Sequence, residues 1–227
     1  MSGPQRVALY YAPARHDPLW TLGASWLGRD PDTNAAVAQP AIPGIAEATA
    51  SPRGYGFHAT LKPPMRLRAG TSWDTVLRAV DDIAAGIAPF AMPPLAVMNL
   101  HGFLAMRETA PSVALQALSD ACVAGLDACR EPAGAAELAR RRGNGLAPAH
   151  EAMLVRWGYP YVFATWFFHM TLTRRLTDAE HATFRPLAEA HMEPALTRTR
   201  PVEDICLFTQ ADAAAPFILA DRIPLSG

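Results

Sequence analysis

Residues 57–61 read Phe-His-Ala-Thr-Leu, and residues 168–172 read Phe-His-Met-Thr-Leu. Successive side chains of a strand point to opposite faces of a sheet. Each copy therefore predicts a strand that turns Phe, Ala or Met, and Leu toward a core and presents an imidazole beside a hydroxyl on the other face. We expect His58, Thr60 and Lys62 to share one face of the first strand, and His169 and Thr171 one face of the second.

The repeat is longer than chance readily produces. A single His-x-Thr is weak evidence in a chain with seven histidines, but two copies of a five-residue pattern are much harder to explain as an accident. The alternative is that both segments are ordinary core strands, with Thr present for its strand preference and His hydrogen-bonded inside. The remaining histidines are predicted to be surface or packing residues: His16, His101, His150, His181 and His191.

Paired imidazoles suit the cleavage of a phosphodiester. One group must take a proton from the attacking oxygen and another must protonate the leaving oxygen, and histidine can do either near neutral pH. The hydroxyls of Thr60 and Thr171 can donate to the non-bridging oxygens, where negative charge develops. Lys62 is a candidate phosphate contact, and an exposed strand lysine is the alternative interpretation of that residue.

The rest of the chain mixes helices and strands without a regular alternation. Predicted strands lie at 6–11, 55–62, 90–107 in short pieces, 165–174, 202–210 and 217–224, and predicted helices at 17–27, 72–87, 112–129, 136–142, 148–157 and 177–192. The pattern favours an α+β fold. We expect one bilobal domain over 1–227, with an antiparallel sheet and helices in each lobe, and a long irregular loop up to Gly54.

Charge and composition limit the partners. The chain has 227 residues, half of them apolar, and a formal net charge of -1. A chain of this size and composition can bury a full core. Its near-neutral charge gives no general attraction for a polyanion, so we expect a small phosphorylated substrate and no long nucleic acid as partner. Arg29, Arg53 and Arg141 are candidate anion contacts. The run that contains Arg141 also suits a helix carboxyl end.

Several classes of protein find no support in the sequence. There is no segment of about 18 apolar residues that would predict a membrane span, and the first residues are too short an apolar run for a secretory signal. Three cysteines, Cys122, Cys129 and Cys206, are predicted to be buried thiols in a reducing cytoplasm. The metal-binding, serine-hydrolase and phosphate-loop motifs are absent, so neither a metal nor a cofactor is predicted.

The motifs resemble those of the two-histidine phosphoesterase superfamily. The phrase Tyr55-Gly-Phe-His-Ala-Thr-Leu-Lys-Pro-Pro64, together with segments at 18–30, 137–142 and 156–161, resembles a branch of unknown-function proteins encoded among bacterial phosphonate-utilisation genes. The resemblance implies a bilobal α+β fold, catalysis by His58 and His169, phosphate contacts from Thr60 and Thr171, and no metal. For this branch it further implies a phosphorylated ribose cyclic phosphate as substrate.

Two other functions remain open at this point. The same chemistry could act on a cyclic phosphate at an RNA end, although the near-neutral charge does not favour it. The same residues could also form a non-catalytic module that binds a phosphorylated metabolite. The sequence does not determine the oligomeric state.

Overall fold

The computed structural model describes residues 5–143 and 145–227. Within them, the strands are β1 Arg6–Tyr11, β2 Ala59–Met65, β3 Phe90–Met92, β4 Leu95–Leu100, β5 Phe103–Glu108, β6 Met170–Arg175, β7 Arg200–Val202, β8 Asp204–Gln210 and β9 Ile218–Pro224. The α-helices are α1 Pro18–Leu27, α2 Ile45–Ala48, α3 Ala50–Arg53, α4 Trp73–Ala85, α5 Val113–Gly125, α6 Ala135–Arg142, α7 Pro148–Trp157 and α8 Asp178–Leu196.

Seven of these strands form one sheet in the order β4-β5-β6-β2-β1-β8-β9, and β3 and β7 form a small separate pair. The strand pairs described by the structure are all antiparallel, which confirms the predicted α+β class. The two motif strands, β2 and β6, are neighbours and meet at a single residue pair. The strands that were expected to form one sheet in each lobe therefore lie side by side in a continuous sheet. Strands β8 and β9, from the end of the chain, lie on the side of β2, next to β1.

The main core lies on one face of this sheet, between the strands and helices α1, α4, α5 and α8. Ala59 and Met170, the middle residues of the two motifs, are fully buried in it. A smaller apolar cluster covers part of the other face and includes Tyr10, Phe208 and Phe217. Because β1 is buried on both faces, it is a continuous apolar run in the sequence rather than an alternating one.

The long segment before the first motif is more ordered than the sequence predicts. The short helices α2 and α3 lie within it, where an irregular loop was expected. The three cysteines are buried and unbridged, as predicted. Among the helices of the described residues, none is both long and apolar enough to cross a membrane.

Gly23 of α1 allows this helix to pack closely on the first motif. A Cβ at this position would lie 2.0 Å from the ring of Phe57, the residue before His58. Ala would gain about 1 kcal/mol in helix propensity over Gly, but a clash this severe forces a shift of ring or helix that typically costs about 1–3 kcal/mol. We expect Gly23→Ala to lower the free energy of unfolding, measured by urea denaturation. An increase in stability would contradict the close packing.

Candidate active site

The two histidines lie at the starts of the two central strands. His58 immediately precedes β2 and His169 immediately precedes β6, so both strands begin later than the sequence predicts. Gly56, with a φ of +80°, turns the chain before His58, and a short 3-10 helix, Phe163–Thr165, turns it before His169. Each imidazole is therefore held where irregular backbone enters the sheet. Both side chains are partly exposed.

The register of β2 against β6 brings the two motifs together. Ala59 pairs with Met170 in an antiparallel arrangement. One step to either side, this pairing places Thr60 beside His169 and His58 beside Thr171. Since Ala59 and Met170 point into the main core, these four side chains point to the opposite face of the sheet. We call this surface, formed by His58, Thr60, His169 and Thr171, the histidine face.

Both imidazoles are oriented by the same kind of hydrogen bond. Nδ1 of His58 lies 2.9 Å from the carbonyl oxygen of Gly56, and Nδ1 of His169 lies 3.2 Å from that of Phe167. A carbonyl oxygen only accepts, so in each ring Nδ1–H is the donor. The neutral rings consequently have an unprotonated Nε2, the atom available for proton transfer. The hydroxyl of Thr60 lies 3.3 Å from Nε2 of His58.

Both histidines favour their neutral form in this environment. Burial lowers the pKa of His58 to about 4, and the positive charges of His169 and Arg29 act in the same direction. Burial also lowers the pKa of His169, and the guanidinium of Arg107 adds to the effect. Each carbonyl bonded to Nδ1 opposes these shifts only in part. At neutral pH, both rings are therefore ready to accept a proton.

Tyr10 is part of this site and was not identified from the sequence. It pairs with Thr60 across β1 and β2, and its ring stacks on the His58 imidazole at a centroid distance of 3.7 Å. The side chain is fully buried, and its hydroxyl has no hydrogen-bond partner among the described residues. Burial raises the pKa of Tyr10 well above its ordinary value, so the phenol stays neutral. The apolar run of β1 gave no signal for this role.

Arg107 and Trp166 border the second motif and were also missed. Met106 of β5 pairs with Met170, which places Arg107 beside His169 on the histidine face. The guanidinium lies 5.1 Å from the centre of the Phe167 ring. Nε1 of Trp166 donates to the carbonyl oxygen of Thr60 at 2.8 Å and so ties the segment before one motif to the strand of the other.

Lys62 does not lie on the histidine face, contrary to the prediction. Tyr10 pairs with Thr60, but the preceding residue, Leu9, pairs with Lys62, so β2 contains one extra residue at this point. This β-bulge reverses the expected alternation and turns Lys62 toward α5. Its Nζ donates to the carbonyl oxygen of Val123 at 2.7 Å, and the side chain is 2% exposed. Burial lowers its pKa to about 8.

The guanidinium groups of Arg29 and Arg53 donate hydrogen bonds to the segment that precedes the first motif. Arg29 is buried and donates to the carbonyl oxygens of Arg53, Gly54 and Phe217. Arg53 donates to the carbonyl oxygens of Leu27 and Ala46 and to the side chains of Gln39 and Thr49. These hydrogen bonds tie both guanidinium groups to the 28–56 segment and Phe217, and the predicted anion contact of each residue stays a prediction.

Arg141, the third predicted anion contact, is held by a carboxylate and an aromatic ring. Its guanidinium pairs with Glu137 at 2.8 Å and covers the ring of Tyr159 at 4.9 Å.

A third His-x-Thr sequence begins at His181 but lies within α8, where residues two apart point in different directions. Across residues 5–143 and 145–227, the structure contains no cluster of three or more His, Cys, Asp or Glu side chains suited to a metal ion.

Two His-x-Thr motifs paired across one strand junction, with an unprotonated Nε2 on each neutral ring, form the kind of site that the resemblance to two-histidine phosphoesterases predicts. The chain belongs to the family of proteins of unknown function described as DUF1045, whose model matches residues 60–218.

Curated relatives are identical to this chain at more than a third of the aligned positions. Ribose 1,5-bisphosphate phosphokinase PhnN of Janthinobacterium sp. (strain Marseille) is 37% identical over 231 residues, covering 98% of this chain and 51% of the relative. The protein of the same name from Laribacter hongkongensis (strain HLHK9) is 36% identical over 216 residues, covering 94% and 50%. The chain thus spans about half the length of the curated relatives it matches.

Solved structures that are similar to this chain include E. coli LigT complexed with 3'-AMP, with a TM-score of 0.46 and 11% identity over 99% of this chain and 100% of that chain. A second crystal structure, described as a phosphoesterase, has a TM-score of 0.43 and 12% identity over the same shares.

Proposed function

We propose that this protein is a metal-independent phosphodiesterase that hydrolyses a small cyclic phosphate between His58 and His169. The observation that supports this most strongly is the pairing of Ala59 with Met170, because it places both imidazoles and both threonine hydroxyls on one face of the sheet. A phosphate group seated on the histidine face has an imidazole on each side. This is the geometry that an in-line displacement at phosphorus requires.

The reaction needs two proton transfers, and the two rings supply them. Nε2 of His58 takes a proton from water as the water oxygen bonds to phosphorus. The protonated Nε2 of His169 gives its proton to the ester oxygen as the bond from that oxygen to phosphorus breaks. The products are a phosphate monoester and a free hydroxyl; His58 ends the step protonated and His169 neutral, and proton exchange with solvent restores both rings. We assign the base role to His58 because its neutral form, the form that can accept a proton, persists down to a pH of about 4.

The charge that develops on the non-bridging oxygens has donors nearby. The hydroxyls of Thr60 and Thr171 flank the two rings, and the guanidinium of Arg107 lies beside His169. Hydrogen bonds to a charged phosphate are typically worth about 1.5–3 kcal/mol each. Tyr10 keeps the ring of His58 in place by stacking against it and excludes water from that side.

The names of the curated relatives support a ribose phosphate as substrate. They are described as acting on ribose 1,5-bisphosphate, and this chain matches only about half of their length. Hydrolysis of a ribose 1,2-cyclic phosphate that carries a 5-phosphate, with cleavage at the 2-oxygen, yields ribose 1,5-bisphosphate. We therefore place this reaction immediately before a step that consumes ribose 1,5-bisphosphate, in phosphonate metabolism.

The proposal is tested by incubating the protein with a panel of cyclic phosphates, with phosphorus NMR as the readout and EDTA present. The panel contains ribose 1,2-cyclic phosphate, its 5-phosphorylated form, a nucleoside 2',3'-cyclic phosphate and an RNA fragment ending in a cyclic phosphate. We expect conversion of a ribose cyclic phosphate to a monoester at a rate that EDTA does not change. Preference for the RNA end, or loss of activity in EDTA, would contradict the proposal. Tight binding without turnover would identify a metabolite-binding module.

The lowered pKa values of His58 and His169 predict that kcat/KM is highest at acidic pH. The base must be neutral, and His58 remains neutral down to about pH 4. The acid must be protonated, and because the pKa of His169 is lowered from its ordinary value near 6.5, its charged fraction grows only as the pH falls below about 6.5. We expect a bell-shaped profile of kcat/KM with its maximum between about pH 4 and 6.5. A maximum on the alkaline side of neutrality would contradict these proton assignments.

A further inference from the structure

A cavity of about 520 Å³ lies farther along β1 and β2 than the histidines. It begins at Lys62, two residues beyond Thr60, and continues to Arg66, where β2 has separated from β6. Residues 130–134, part of α6 and the end of α7 also line the cavity.

The walls of this cavity are strongly basic. Six cationic side chains contribute to its lining: Arg6, Lys62, Arg66, Arg130, Arg140 and Arg141. Two carboxylates line it as well, Glu131 and Glu137, and Asp127 lies behind it, 3.8 Å from Lys62. Three positive charges therefore remain uncompensated in a protein whose net charge is -1. Such a concave, basic surface concentrates the positive electrostatic potential and attracts a small anion.

The cations are held in place by other side chains. Arg130 is paired with Asp127 at 2.7 Å, and Arg141 is paired with Glu137 and lies over the ring of Tyr159. Lys62 is 98% buried and anchored to the carbonyl of Val123 at the base of the cavity. Cations fixed in this way lose little freedom when an anion binds, and guanidinium groups suit the oxygens of a phosphate.

Tyrosine side chains connect this cavity with the histidine face. Arg141 covers the ring of Tyr159, and Tyr10 stacks on His58. Burial raises the pKa of Tyr10, and Tyr55 and Tyr159 add smaller contributions in the same direction. The unpartnered hydroxyl of Tyr10 lies within this series.

We propose that the basic cavity binds a second phosphate group of the substrate, separate from the phosphate that reacts between the histidines. This inference rests on the proposed function, and it narrows the substrate class to small cyclic phosphates that carry an additional phosphate monoester. The cavity then selects the substrate while the histidines act on it.

The kinetic test compares two substrates and three proteins. The substrates are ribose 1,2-cyclic phosphate with and without a 5-phosphate, and the proteins are the wild type, the double variant R66A/R141A, and the control Arg185→Ala on the exposed side of α8. We expect the double variant to raise KM at least 10-fold for the 5-phosphorylated substrate and to leave KM for the other substrate unchanged. The control should match the wild type. Equal KM values for both substrates in the wild type would overturn the proposal.

A binding test separates failure of the cavity from failure of the proposed reaction. Calorimetric titration with ribose 5-phosphate should show binding to the wild type and to His169→Ala, and at least 10-fold weaker binding to the double variant. Ribose itself should not bind. If no cyclic phosphate is hydrolysed, this titration still decides the second-phosphate site. Absent binding, or binding that the double variant leaves unchanged, would overturn it.

Discussion

Replacing either histidine by alanine is expected to lower turnover by roughly 10²–10⁴-fold, the usual effect of removing one positioned acid or base. Without His58, no group beside the phosphate takes the proton from water, and without His169 the leaving oxygen departs unprotonated. KM should change little, because the threonine hydroxyls and Arg107 remain. The readout is the initial rate of conversion of a ribose cyclic phosphate, followed by phosphorus NMR.

Two further variants sharpen this prediction. In the double variant H58A/H169A, the loss should be smaller than the product of the single losses, because the two rings act as a unit. The control is His181→Ala, which removes the histidine of the His-x-Thr sequence in α8 and should leave turnover at the wild-type rate. Wild-type activity in the double variant would refute the acid–base assignment.

Replacing Arg29 by alanine is expected to destabilise the fold by about 3 kcal/mol or more. The change leaves the carbonyl oxygens of Arg53, Gly54 and Phe217 without their donor, and each unsatisfied buried acceptor typically costs about 1–3 kcal/mol. Since the 28–56 segment leads directly into the first motif, activity should fall together with stability. The free energy of unfolding is measured by urea denaturation.

Arg15 provides the matched control. It also carries a guanidinium group in this part of the chain, but its side chain is 65% exposed and pairs with Asp32 at the surface. Arg15→Ala should therefore cost no more than about 1 kcal/mol. If Arg29→Ala kept full stability but raised KM, Arg29 would be a substrate contact after all, and the assignment to the loop would be wrong.

The five-residue repeat was sufficient to predict which side chains share a face within each motif. Alternation along a strand is local, so Phe57 and Leu61 were correctly placed in the core. The pairing of Ala59 with Met170 was not readable from the sequence, because register between strands 111 residues apart depends on the packing of the whole sheet. The sequence could suggest two halves, but not that they meet at the centres of the two motifs.

The sequence-based predictions failed where a local irregularity or a long-range contact decides the outcome. The extra residue in β2 that redirects Lys62 has no signature in Thr-Leu-Lys. From the sequence, Arg29 and Arg53 looked available for anion binding, because the carbonyl oxygens that they bind come from distant loop segments and from Phe217. Tyr10 was hidden in a strand that is apolar on both faces, and only the fold shows that its ring contacts His58.

The central claim is that His58 and His169 act on the same phosphate. The most direct test follows the ring resonances of histidine by NMR while a non-hydrolysable cyclic phosphorothioate of ribose is added, with assignments from the variants His58→Gln and His169→Gln. The account predicts that the resonances of both rings shift together with a single binding constant, while those of His16 and His150 stay in place. A shift of one ring alone, or of neither at saturation, would contradict a shared phosphate.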